Sequence, residues 1–281
     1  MNRIAEKYGI DFRRPQVMTV VNITPDSFYS ASRTTEESEI INRVNQAVAE
    51  GTSIIDVGGY SSRPGAGDVT VEEEIRRVKL GIECVRKVSK TIPVSVDTFR
   101  AEVAEMAISA YDRIIINDIS AGELDLTMIR TVAEADVPYI AMHMRGTPAT
   151  MSQLTDYNNI TADIINYFRG KAEHFISCGM REENILLDPG FGFAKTLDQN
   201  YELLGSINEL CALGYPIVAG VSRKSMIYNV LNSTPQESLE GTTALHWELL
   251  RQGVTILRVH DTRAAVDTIK IFEKFKSLNN K

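Results

Sequence analysis

Residues 93–118 read PVSVDTFRAEVAEMAISAYDRIIIND. A short β-branched run, 93–96, breaks at Asp97-Thr98. After a segment long enough for a helical crossover a second run, 113–116, breaks at Asn117-Asp118. Runs of this kind read as strands buried on both faces, and two parallel neighbours require such a crossover between them. The unit recurs in both directions, with 17–23 and 53–57 before it and 138–142, 184–187, 216–221 and 254–259 after it. Eight strand-and-crossover units predict a single (β/α)8 barrel, an α/β fold spanning residues 1–281. A doubly wound open sheet is the structural competitor.

The intervening segments carry helical periodicity. Val71, Ile75, Val78, Ile82 and Val85 form one stripe, opened by Thr70 and Glu73 as a capping box. Ile40, Val44 and Val48 form another, and Ala265, Ile269, Phe272 and Phe275 close the chain. Thr234-Pro235 supplies a cap and first-turn proline for the helix carrying Leu239, Leu245 and Leu249. No Pro/Gly/Ser-rich linker or charge block interrupts the alternation, so no second domain is expected.

Composition bounds the function. Of 281 residues 43% are hydrophobic and 24% charged, which excludes a disordered polymer, and the length suits one barrel of roughly 250 residues. A formal charge of −7 argues against a nucleic-acid-binding surface, so any anion site must concentrate its cations locally. No apolar run reaches membrane length and the first residues do not resemble a signal peptide, so no membrane partner and a cytoplasmic location are expected. Cys84, Cys178 and Cys211 form no C-x-x-C pair and read as buried, reduced thiols. His174 and His246 fall within helical patterns as packing or solvent-facing residues, and Trp247 reads as core or interface.

Barrel active sites lie just beyond the carboxyl ends of the strands. Here those ends read Asn22-Ile23-Thr24-Pro25-Asp26-Ser27-Phe28, then Asp56 through Ser61-Ser62-Arg63-Pro64-Gly65, Asp97-Thr98, Asn117-Asp118, His143-Met144-Arg145, Asp188-Pro189-Gly190-Phe191-Gly192-Phe193, Ser222-Arg223-Lys224-Ser225 and Arg258-Val259-His260-Asp261. Asp56 or Asp97 alone would more often be a cap or a polar barrel-layer residue. Eight polar strand ends together exceed what stability requires. Arg63, Lys224, Arg258 and His260 suit a phosphate or pyrophosphate. Asp97, Asn117 and Asp188 suit the N–H edge of a planar heterocycle, and Phe28, Pro64 and Phe193 can sandwich an aromatic second substrate.

In order, Asn-x-Thr-Pro-Asp-Ser-Phe, Ser-x-Arg-Pro-Gly, Asp-Pro-Gly-x-Gly-Phe, Ser-Arg-Lys-Ser and Arg-Val-His-Asp resemble the dihydropteroate synthase family, from Asn22 to Asp261. The resemblance implies a transferase that joins 4-aminobenzoate to 6-hydroxymethyl-7,8-dihydropterin pyrophosphate by an SN1-like displacement. It implies pterin contacts at Asp97, Asn117, Asp188 and Lys224, and catalysis by Asp97, Lys224 and Arg258. Pyrophosphate contacts fall on Asn22, Ser62, Arg63, Arg258 and His260, with Mg2+ at Asn22. Phe28, Arg63, Pro64, Phe193 and Ser225 would frame the aminobenzoate. A homodimer is implied as well. The sequence departs from the family at Tyr60-Ser61-Ser62, where an acidic residue followed by Ser-Thr is usual, and at Tyr29-Ser30-Ala31-Ser32. The competing functions are a pterin-binding methyltransferase using methyltetrahydrofolate, a non-catalytic pterin-binding protein and an unrelated phosphate-binding barrel.

Overall fold

The computed structural model describes residues 3–23, 33–61 and 69–279. Its strands are β1 (Gln16–Asn22), β2 (Ile54–Gly58), β3 (Val94–Asp97), β4 (Ile114–Asp118), β5 (Tyr139–Met142), β6 (Ile185–Asp188), β7 (Val218–Ala219) and β8 (Ile256–Val259). All neighbours are parallel, in the order β6-β5-β4-β3-β2-β1-β8-β7. An isolated parallel bridge between Leu187 and Ile217 joins the two ends into a barrel. The seventh strand is shorter than the expected 216–221, because Val218 and Ala219 pair with β8 while β6 is met through that single bridge.

Side chains alternate across each strand, and the two faces meet different partners. Outward-facing Val17, Val21, Ile55, Val57, Val94, Val96, Ile114 and Ile116 join the core under the helices. Inward-facing Met18, Ile54, Ile115, Ile140, Leu186, Val218 and Ile256 fill the barrel floor. Helix α1 (Arg3–Tyr8) and the segment after it close that floor with Ile4, Tyr8, Ile10 and Phe12, and the Tyr8 hydroxyl donates to the Ile114 carbonyl at 3.1 Å.

The crossovers are α2 (Arg33–Glu50), α3 (Val71–Val88), α4 (Ala101–Ala110), α5 (Met128–Ala135), α6 (Ile160–Ser177), α7 (Leu197–Gly205), α8 (Ile207–Cys211), α9 (Ser225–Leu231), α10 (Leu239–Arg251) and α11 (Thr262–Asn279). Thr70 caps α3 by accepting from the Glu73 N–H at 3.3 Å, but the Glu73 carboxylate binds Arg76 and Arg77 instead of completing the box. Thr234-Pro235 does not open α10. The cap position is Ser238, and Thr234 folds into a turn whose hydroxyl donates to Glu237 at 2.9 Å. Of the cysteines Cys84 alone is buried; Cys178, at the end of α6, is exposed and Cys211 half-buried. His174 is exposed and His246 packed inside, where burial holds its ring down to about 4. Trp247 stacks edgewise on Phe272 and Phe275.

Candidate active site

Following the inward face toward the carboxyl ends, the apolar floor gives way to charge. Two residues beyond Ile54, Ile115, Leu186 and Ile256 stand Asp56, Asn117, Asp188 and Arg258. Strand register sets Asn22 beside Gly58, Gly58 beside Asp97 and Asp97 beside Asn117, so one rung crosses four strands. Gly58 keeps that rung open: a Cβ there would lie 3.5 Å from both the Asn22 amide oxygen and the Asp97 Cβ.

Arg258 organises the centre. Its Nε donates to Asp56 Oδ2 at 2.7 Å and its Nη2 to Asp97 Oδ2 at 2.6 Å, tying β8 to β2 and β3. Asn117 Nδ2 approaches the other Asp56 oxygen at 3.5 Å. Asp56 is wholly buried, and a carboxylate there is tolerable because cation and amide replace its water. Burial pushes Asp97 up to about 7 against the pull of Arg258, with Asp56 adding to the rise. For Arg258, burial works downward, but Asp56 and Asp97 outweigh it and the net direction is up.

The second half of the mouth comes from β6 and the segment after β7. Asp188 accepts from the Gly190 N–H at 2.7 Å; burial raises its carboxyl against the opposing charge of Lys224. The Lys224 ammonium donates to the Phe191 carbonyl and lies 4.8 Å from the centre of the Phe193 ring. Burial draws it down to about 8, resisted by Asp188. Phe193 and Phe99 pack on an apolar wall of Ile119, Met142, Met144, Met151 and Ala194. Opposed carboxylates, an amide, an ammonium and an apolar wall match a flat heterocycle with donors and acceptors on its edge.

Asp97, Asn117, Asp188, Lys224 and Arg258 thus converge at the inner mouth, with Asn22 on the shared rung. His260 is exposed at the rim; its N–H donates to Ser222 Oγ at 3.2 Å and its carbonyl accepts from Arg43 at 2.6 Å. Ser225 is exposed at the first turn of α9. Phe28, Ser62, Arg63 and Pro64, with Tyr29-Ser32, lie outside the described residues. Tyr60 is described: it meets Phe99 edge to face at 5.1 Å, beneath Arg100, which pairs with buried Glu74 at 2.8 Å. Arg223 stands apart from the phosphate-side cations, clamping Asp261 at 2.7 and 2.9 Å.

Asp56, a strand end whose residue type alone suits a cap or a polar barrel layer, is such a layer residue: alternation from Ile54 places it inside, and what the sequence does not disclose is that it anchors Arg258. Lys195 belongs to no sequence motif, yet its Nζ contacts the Gly190 and Phe193 carbonyls and His143.

A parallel barrel with this inward polar layer at its mouth defines a class, and the pattern described as pterin binding enzyme matches residues 18–260. The chain belongs to that family. The dihydropteroate synthases of Haemophilus influenzae and Escherichia coli are each 36% identical to it over 273 residues, 97% of this chain and 98% and 96% of theirs. Among solved structures, Xanthomonas albilineans dihydropteroate synthase with 4-aminobenzoic acid superposes with a TM-score of 0.88 at 34% identity, covering 95% of each chain. The complex of that enzyme with 7,8-dihydropteroate gives 0.85 at 32% identity, over 95% of this chain and 96% of the other. Within the pterin-binding enzymes, the place of this chain is among the dihydropteroate synthases.

Proposed function

We propose that the chain condenses 6-hydroxymethyl-7,8-dihydropterin pyrophosphate with 4-aminobenzoate, giving 7,8-dihydropteroate and pyrophosphate. The carrying observation is the inward layer of Asp97, Asn117, Asp188 and Lys224, ordered around Arg258. Asp188 and Asn117 take the N–H edge of the pterin and Lys224 donates to its ring oxygen and nitrogen. The bond from the exocyclic methylene to the pyrophosphate oxygen breaks with its electron pair on oxygen. The ring stabilises the resulting cation, and Asp97 adds a negative charge beside it. The amine lone pair then forms the C–N bond and its proton passes to water. Arg258, whose Nη1 makes no hydrogen bond among the described residues, together with His260, Ser62 and Arg63, meets the departing charge. Phe193, Ser225, Phe28, Arg63 and Pro64 frame the aromatic amine.

Magnesium belongs to this reading as a partner of the pyrophosphate. Among the described residues no three His, Cys, Asp or Glu side chains form a metal cage, and Asp56 and Asp97 are committed to Arg258. A lone amide oxygen at Asn22 fits Mg2+, which keeps waters and takes substrate phosphate oxygens. Bound there, the ion would neutralise charge on the leaving group. A homodimer fits the exposed apolar residues of the two helices that pack on α10, Val230 and Leu231 on α9 and Ile271, Phe275 and Leu278 on α11, all at least 49% exposed. No described helix is long and apolar enough to cross a membrane.

The test is pyrophosphate release from the pterin substrate with and without 4-aminobenzoate, with dihydropteroate followed in parallel. Amine-dependent, stoichiometric formation of both products is expected. Their absence from folded protein supplied with magnesium refutes the reading, including against methyl transfer or mere pterin binding.

A further inference from the structure

Between Asp188 and Thr196 the backbone enters the left-handed region at every second residue, Gly190 at φ 68°, Gly192 at 81° and Ala194 at 49°. A Cβ on Gly190 would fall 2.1 Å from the His143 carbonyl oxygen, so glycine is required there. Ala194 has no such freedom, and a shape of this kind persists where its surroundings over-determine it. Lys195 shares that restraint with Tyr157, whose hydroxyl donates to the Ala194 carbonyl at 2.9 Å, and with Asn200, which accepts from the Gly192 N–H at 2.7 Å. The Lys195 Nζ donates to the Gly190 carbonyl at 2.9 Å and to the Phe193 carbonyl at 2.9 Å, and shares a hydrogen bond with His143 Nδ1 at 3.2 Å. Burial draws Lys195 itself well below the usual lysine range, and as ammonium or as amine its N–H groups serve both carbonyls, while the bond to Nδ1 runs in the direction the ring tautomer sets. Burial, and then the Lys195 charge, hold His143 down to about 2, consistent with a neutral ring. The His143 N–H in turn donates to the Asp188 carbonyl at 2.9 Å.

We propose that Lys195 is a positioning residue for the aromatic-amine side of the site: by gripping the Gly190 and Phe193 carbonyls against His143 it sets the Phe193 ring over Lys224. The inference rests on the condensation proposed above. Its consequence is asymmetric. Asp188 keeps its own bond to the Gly190 N–H, so pterin recognition survives loss of Lys195, whereas the Phe193 carbonyl loses its side-chain bond and that end of the loop is left to Tyr157 and Asn200.

Three readouts test this on full-length protein. Hydrogen exchange across residues 188–196 of the ligand-free chain should quicken at least tenfold in Lys195→Met at Gly192 and Phe193, on the order expected when a local restraint is lost. KM for 4-aminobenzoate should rise about tenfold while affinity for a pterin lacking phosphate moves less than about threefold. In a Phe193→Leu background the same change should add less than about twofold, the mark of a shared pathway. Lys195→Gln, which restores N–H donors to the carbonyls, should recover part of both effects and decides the matter if Lys195→Met does not fold. Unchanged exchange, equal weakening of both ligands, or additivity with Phe193→Leu overturns the proposal. A wild type that forms no dihydropteroate refutes the function, and the exchange data still decide the tether.

Discussion

The floor and the mouth of the barrel are built on the same inward rows, two residues apart, and have opposite chemistry. Ile54, Ile115, Leu186 and Ile256 meet one another and α1 at the floor; Asp56, Asn117, Asp188 and Arg258 follow them at the mouth. The floor gains stability from apolar burial. The mouth spends part of that stability on groups that are costly to desolvate and are held by mutual pairing. Stability and chemistry are therefore separated along the barrel axis, as expected for a fold whose active sites lie at the carboxyl ends of its strands.

The sharpest way to break this division is Arg258→Ala. Turnover per folded molecule should fall on the order of 10² to 10³-fold, the range for losing an electrostatic contact to developing charge. Because Asp56 and Asp97 would then face each other without their cation, affinity for an unphosphorylated pterin should weaken as well, by a smaller factor. Isothermal titration separates the two effects, and a loss of turnover below about tenfold would make the cation structural. Leu186→Ala tests the floor: urea unfolding should show a loss of about 3 kcal/mol, while kcat of the folded protein is retained.

Next in size is a pH effect. Lys224, drawn down to about 8, loses its charge and a donor as pH rises, so kcat/KM should fall toward about tenfold per unit on the alkaline side. Lys224→Arg should move that limb beyond the measurable range. The linkage runs oppositely for stability. A lysine depressed from 10.5 to about 8 in the folded state makes the unfolded chain the better proton binder between those values, so this group's contribution to stability grows as pH climbs through that window. Activity lost while stability from this group rises rules out unfolding as its cause. The smallest expected change is in Asn22→Ala, which should need about three- to tenfold more magnesium for half-maximal turnover, with chelator abolishing activity in both proteins. Full turnover in excess chelator would remove the metal from the mechanism.

Much of this division was legible in order along the chain. β-branched runs ending in Asp97, Asn117 and Asp188 disclose both the barrel and its active end, because strand period and crossover length are local properties. Partnership is not local. The eye sees Arg258 as a phosphate cation, and only closure of the barrel brings β8 within reach of Asp56 and Asp97. Lys195 sits in a run that reads as the lead-in to α7, and its inward course depends on the left-handed turns before it. Ser238 replaces Thr234 as the cap position because a turn held by Glu237 absorbs the earlier residues. Cys178 is exposed because it falls at a helix end, a boundary composition does not reveal.

The bridge between Leu187 and Ile217 has a mechanical consequence. Arg258 staples β8 to β2 and β3, whereas among the described residues β6 and β7 are joined in the sheet by that single bridge, with the Leu187 N–H donating to the Pro216 carbonyl at 3.0 Å. Asp188 follows one side of this seam and Lys224 the other. Links are therefore densest around the groups that meet the reacting charge and sparsest at the β6–β7 junction, which the Lys224 ammonium spans above the sheet by its bond to the Phe191 carbonyl. A ring seated between Asp188 and Lys224 bears on the most sparsely linked junction of the sheet, opposite the Arg258 clamp.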